Sequence, residues 1–263
     1  MKQLIHLNQK RRINPATPGA GLAQLSGLQA IDALPNEVGY DESITIDWNF
    51  SVVNNEFYSA NSSQHKIYRT LDTPSAHYHT SVDVACNNVS GTNETTVVNS
   101  IWGKFEGLNI TSADGYPMTY WGNGANTPNS LAELVSLHNG RWRAWAFFFK
   151  DVLDVHSITA TARGIKPMIS FGYDRYLVMP YALCVNETFP DQNNAHPPCQ
   201  FSDHRIVLYN NKIYDPSYGK TFNSIDEWES TCIDIFWVYR IEDPNYRDIV
   251  PNPPFTQCGF INE

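Results

Sequence analysis

The chain has 263 residues, is 42% hydrophobic and 13% aromatic, and carries a formal net charge of −9. That length supports one large domain, or a medium one with a smaller appendage, and a core that needs neither metals nor many disulfides. The acidic balance, with Lys10, Arg11 and Arg12 as the one basic cluster, argues against a nucleic-acid partner, and no apolar run approaches a membrane span.

Residues 1–38 are rich in Pro, Gly, Ala and Gln without a period and are expected to form a poorly packed arm. They contain no continuous apolar stretch of the signal-peptide kind, so the expected location is the cytoplasm or export without a classical leader. Residues 39–90 read as a β-rich segment. Ile44, Ile46 and Trp48 alternate with Thr45, Asp47 and Asn49, and Asn54-Asn55 signals a turn. A second strand-like run, Lys66 to Leu71, is followed by a third, His77 to Val84.

Residues 91–245 form the expected core. Val97, Val98, Ile101, Trp102 and Phe105 share one helix face, and Gly107 ends that helix. Ser130 and Glu133 form a capping box for a short helix through His138, which Asn139-Gly140 stops. The segment WRAWAFFFKDVLDV is apolar nearly all round, the pattern of a helix buried mid-domain. Strands then follow in ITATARGI, YLVMPYALC, HRIVLY and KIYDP, the last two joined as a hairpin by Asn210-Asn211. Ser224 with Glu227 caps another short helix, CIDIFWVYRI reads as a final strand, and residues 246–263 as proline-punctuated coil. The fold class expected is α+β: a buried helix packed on an antiparallel sheet, after an N-terminal β-rich segment.

Three pieces carry chemistry. Gly140-Arg141-Trp142-Arg143-Ala144-Trp145-Ala146 opens the buried helix, Asp203-His204-Arg205 opens a strand, and Tyr214-Asp215-Pro216-Ser217 ends the strand paired with it. The hairpin brings His204 and Asp215 together, and a carboxylate beside an imidazole fixes its tautomer and stabilises its charged form. In order and setting these pieces resemble the transglutaminase-like superfamily, a branch of the papain-like cysteine enzymes, over roughly residues 95–240. Its pattern is Gly-(Gln/Arg)-Cys-x-x-(Trp/Phe)-Ala on a helix, a His opening a strand, and Asp-(Pro/Ala)-(Ser/Thr) on the next; this chain reads GRWRAWA, DHRIVLY and YDPSYG.

The resemblance implies a papain-like core and a Cys-His-Asp triad attacking the amide of a protein or peptide substrate, without a cofactor or metal. The outcome would be acyl transfer, deamidation or hydrolysis. It assigns His204 and Asp215 to the triad and, by rough position, Trp121 to oxyanion stabilisation, with ordinary core packing as the other reading of Trp121. The departure is Trp142. The family's nucleophilic cysteine stands there, at a helix N-terminus that lowers its thiol pKa. Indole is neither nucleophilic nor ionisable, so the chain as it stands is expected to be inactive. The alternative is a non-catalytic binding pseudoenzyme that keeps the substrate groove.

Other residues keep two readings at this point. Cys86 precedes His204 in the right order for a nucleophile, but Asn87-Asn88 follows it and no buried helix is expected to start there. His77 and His79 offer two metal ligands on one strand face, or a pair of surface histidines. His138 and His156 flank the buried helix as helix-end residues. Arg141 and Arg143 steer an acidic or amide-bearing partner, or are simply solvated. Cys184 and Cys199 either close the loop between them as a disulfide or remain two reduced thiols.

Overall fold

In the computed structural model the described residues are 3–4, 35–51, 57–123, 126–167, 173–178, 191–194, 198–239, 247–251 and 258–261. The alternating segment forms a long antiparallel hairpin of β2 (Gly39–Ser51) and β3 (Phe57–Arg69). The Asn54-Asn55 turn lies outside the described residues. Within the N-terminal arm, β1 (Gln3–Leu4) pairs with the other edge of β3, Gln3 opposite Arg69.

The strand expected over His77–Val84 is instead a helix, α1 (His79–Cys86). Thr80, Val82 and Val84 favour a strand locally, but the helix turns Thr80, Ser81, Val84, Ala85 and Cys86 inward together. Burial of that face outweighs a propensity worth only tenths of a kcal/mol per residue. Next, α2 (Glu94–Glu106) is capped by Asn93, whose side chain accepts from Thr96 N–H, and it buries Val97, Val98, Ile101, Trp102 and Phe105. A short parallel pair, β4 (Thr119–Tyr120) with β5 (Asn139–Gly140), encloses α3 (Leu131–Leu137), which Ser130 caps as the capping box predicts.

The central helix is α4 (Trp142–Asp154), with Ala144, Trp145, Ala146, Phe148, Phe149, Val152 and Leu153 wholly buried. It is not enclosed on every side: Arg143 is exposed, while Phe147, Lys150 and Asp154 are half-buried along the same stripe. The guanidinium groups of Arg143 and Arg205 lie over the Phe147 ring at 5.6 and 5.4 Å, shielding its apolar face.

Helix α4 packs against β9 (His204–Tyr209) of an antiparallel sheet. Its other strands are β6 (Thr161–Pro167), β10 (Lys212–Asp215), β11 (Lys220–Phe222) and β14 (Cys258–Ile261), in the order β11-β10-β9-β6-β14. A second antiparallel sheet runs β13 (Arg247–Pro251), β12 (Ile233–Tyr239), β7 (Tyr173–Val178), β8 (Gln200–Phe201). The protein is therefore α+β, with a buried helix on an antiparallel sheet.

Two boundaries differ from expectation. Helix α5 (Ile225–Cys232) takes Cys232, so β12 starts at Ile233, and β12 is not the last strand. The tail read as coil supplies β13 beside β12 and β14 beside β6. Buried Glu229 accepts from the Cys258 N–H at 2.7 Å and so ties β14 to α5. Short strands lacking alternation carry no periodic signal; the sheet edge they complete is what holds them. Cys86, Cys232 and Cys258 are buried free thiols, whereas Cys199 is disulfide-bonded; Cys184 lies outside the described residues.

Candidate active site at the start of α4

The hairpin that carries the site is specified locally. Asn210 and Asn211 take φ of 47° and 59°, the left-handed pair that a two-residue hairpin turn requires and that asparagine tolerates. Lys212 then pairs with Tyr209 and Tyr214 with Val207. His204 Nε2 lies 2.8 Å from Asp215 Oδ2, and both side chains are fully buried. Because a carboxylate only accepts, Nε2 carries the proton in this bond.

Asp215 is further anchored by the Trp228 Nε1–H at 3.0 Å on the same oxygen. The backbone N–H groups of Ser217 and Tyr218 donate to its other oxygen at 3.2 and 3.3 Å. Both carboxylate oxygens are thus satisfied by N–H donors. The His204 ring is stacked by Tyr218 at 4.7 Å and Trp228 at 5.7 Å, which fixes its plane. Its second nitrogen, Nδ1, is buried and has no hydrogen-bond partner among the described residues.

Trp142 is the first residue of α4, and its ring centre lies 6.3 Å from that of His204. Arg141 precedes it with extended backbone and no side-chain cap, so the first N–H groups of α4 lack a capping side chain. Gly140 is needed here: a Cβ at that position would sit 2.9 Å from Ala144 Cβ and 3.1 Å from Leu134 Cδ1. The Trp142 indole is 9% exposed and packs on Trp121 at 4.5 Å and Phe201 at 5.4 Å. Trp121, with φ of 49°, is fixed by its N–H to Gly140 O, and the Arg141 guanidinium lies 4.7 Å over its ring. The sequence-selected residues Trp121, Trp142, His204 and Asp215 are therefore one cluster.

Asp191 belongs to the surroundings of this site, although its place in a polar loop without periodicity gave no signal. Burial, and then the Asp215 charge, push its carboxyl well above the usual carboxylate range. The next residues bind the site's loops together. Gln192 Nε2 donates to Phe105 O and Pro216 O, Asn193 Nδ2 to Ile110 O and Met118 O, and Asn194 Nδ2 to Tyr120 O. Gly219, at φ +61°, lets the turn after Asp215 press on α2, where a Cβ would meet Phe105 O at 2.7 Å.

The other candidates lie elsewhere. Cys86 is wholly buried on α1, with its thiol pushed up to about 12 by burial, so no thiolate forms there near neutrality. His77 and His79 do not share a strand face: His77 contacts Asp151, and His79 contacts Tyr68. No group of three or more His, Cys, Asp or Glu suited to a metal occurs among the described residues. His138 ends α3 in a left-handed conformation with its ring on Tyr116, and His156 follows α4 with both ring nitrogens hydrogen-bonded. No family model, no curated protein and no solved structure matches the chain.

Proposed function

We propose that this chain carries a transglutaminase-like, papain-related acyl-transfer scaffold in which Trp142 stands at the nucleophile's position, and that it is catalytically silent as it stands. The observation that carries this reading is the buried His204: Nε2 is committed to Asp215 while Nδ1 has no partner among the described residues, beside the uncapped start of α4. A thiol at position 142 would meet both an imidazole acceptor and a helix N-terminus, the two influences that turn a cysteine into a thiolate nucleophile. The amide carbonyl of a protein or peptide would be attacked, His204 would protonate the leaving amine, and water or an amine would resolve the acyl-enzyme.

A second reading, a non-catalytic binding protein, is favoured by how well the indole is seated, with Trp121, Phe201 and His204 around it. Trp142→Cys separates the two. The variant is expected to be alkylated at position 142 faster than free cysteine at pH 6, and to release ammonia from glutamine peptides or cleave an amide. His204→Ala in that background should abolish both. Circular dichroism must first confirm folding, since removing a packed indole costs roughly 3–5 kcal/mol. A folded variant with an ordinary thiol and no amide chemistry across a broad peptide panel overturns the acyl-transfer reading in favour of binding.

A further inference from the structure

Toward the other end of α4, Asp151 Oδ1 lies 2.9 Å from His77 Nδ1, and the second ring nitrogen, Nε2, lies 3.1 Å from Ser75 Oγ. The tautomer follows from the partners. A carboxylate only accepts, so Nδ1 carries the proton, and the neutral ring offers a lone pair at Nε2 to the serine hydroxyl. The order is hydroxyl, imidazole, carboxylate, each within hydrogen-bond reach of the next. Ser75 is open to solvent, while the His77 and Asp151 side chains behind it are 4% and 17% exposed.

The loop bearing Ser75 is held at several points. Thr70 Oγ1 donates to Asp72 O, Thr73 N–H to the Asp72 carboxylate, and Leu71 N–H to His156 Nδ1. Pro74 fixes φ immediately before the serine. Just beyond, α1 begins at His79 without a side-chain cap, which leaves backbone N–H groups near the loop in a setting suited to negative charge.

We propose that Ser75, His77 and Asp151 form a second, hydrolytic site acting on uncharged carboxylic esters. As Ser75 Oγ bonds to the ester carbonyl carbon, its proton passes to His77 Nε2, and Asp151 stabilises the imidazolium. The tetrahedral adduct collapses by breaking the bond to the alcohol oxygen, which takes the proton from Nε2. Water then adds to the acyl-serine, giving its proton to Nε2, and the carboxylic acid leaves as Ser75 regains its hydrogen. Uncharged esters are specified because Asp72, exposed on the same loop, disfavours an anionic substrate. This site is independent of the chemistry proposed around Trp142.

The test is covalent labelling of the full chain with a fluorophosphonate, read by peptide mass spectrometry, alongside hydrolysis of p-nitrophenyl acetate. Ser75 is expected to be the labelled serine. His77→Gln and Asp151→Asn, checked for folding by circular dichroism, are expected to slow labelling at least about a hundredfold, the range a positioned general base supplies. Ser75→Ala, a change at an exposed site, is expected to abolish the acyl-enzyme burst. The proposal is overturned if Ser75 is labelled no faster than the other serines, or at an unchanged rate in folded His77→Gln and Asp151→Asn. Should His77→Gln not fold, the wild-type chain and Asp151→Asn decide the matter.

Discussion

Helix α4 meets a histidine–carboxylate pair near each end, and the two pairs are built for different surroundings. At its start, His204 and Asp215 are enclosed, the carboxylate takes four donors, and the ring is stacked between Tyr218 and Trp228. Toward its end, Asp151 accepts from His77 through Oδ1, while its buried Oδ2 has no hydrogen-bond partner among the described residues, and the relay opens to water at Ser75. Donors on both oxygens of a buried carboxylate offset its desolvation, and they also lock the ring it serves. The Asp151 side chain, 17% exposed, is bonded at Oδ1 by His77 alone among the described residues.

The contrast predicts unequal costs of removal. Asp215→Ala would strand an imidazole, an indole N–H and two backbone N–H groups in the core, and is expected to cost roughly 3–5 kcal/mol. Asp151→Ala, which leaves one His77 N–H without its acceptor, should cost less, about 1–3 kcal/mol. Urea unfolding of the two variants measures this directly; equal midpoints would remove the distinction between the two ends.

A second, comparable effect comes from His156, just past the end of α4. It is 2% exposed, its Nδ1 accepts from Leu71 N–H and its Nε2 donates to Ala85 O, an arrangement that uses up the neutral ring. Burial holds its pKa down, to about 4 against an ordinary 6.5. The unfolded chain therefore binds the proton first as pH falls. Stability from this residue is complete above pH 6.5 and is lost as pH drops toward 4, by roughly 3 kcal/mol in all. Unfolding free energies at a series of pH values should show this slope, and His156→Gln should remove it. A slope that survives the substitution would assign the acid sensitivity to other groups.

The smallest effect concerns the turn that brings His204 and Asp215 together. Asn211 sits at φ 59°, where glycine is freer of strain. Asn211→Gly is expected to be neutral or stabilising by a few tenths of a kcal/mol, whereas Asn211→Val, β-branched at a left-handed position, should lower the melting temperature. If valine is tolerated there, turn chemistry is not what holds the hairpin register.

How much of the site was legible follows from sequence distance. His204 and Asp215 stand on consecutive strands joined by a turn, so period-two alternation and two asparagines suffice to put them together. Trp142 was legible as a helix start because an apolar run follows Asn139-Gly140. The neighbourhood of Trp121 and Trp142 was suggested by a family pattern and takes its form from the β4–β5 pair and from Asn139, whose side chain accepts from Gly122 N–H. Asp191 and the three amide side chains after it were not legible, since a polar loop has no period to read and their partners lie far along the chain.

The sequence by itself determined what short-range rules decide: the capped helices α2, α3 and α5, the β9–β10 hairpin, and a core helix opening on Trp142 rather than on a thiol. Only the tertiary structure decided the rest. It turned a strand-like run into α1, drew the C-terminal tail into two sheets, and joined His77 to Asp151 across 74 positions of chain. The reason is physical. Local propensities differ by tenths of a kcal/mol, while burying a single large apolar side chain contributes about 1.5–3 kcal/mol, so wherever the two conflict the partner across the fold prevails.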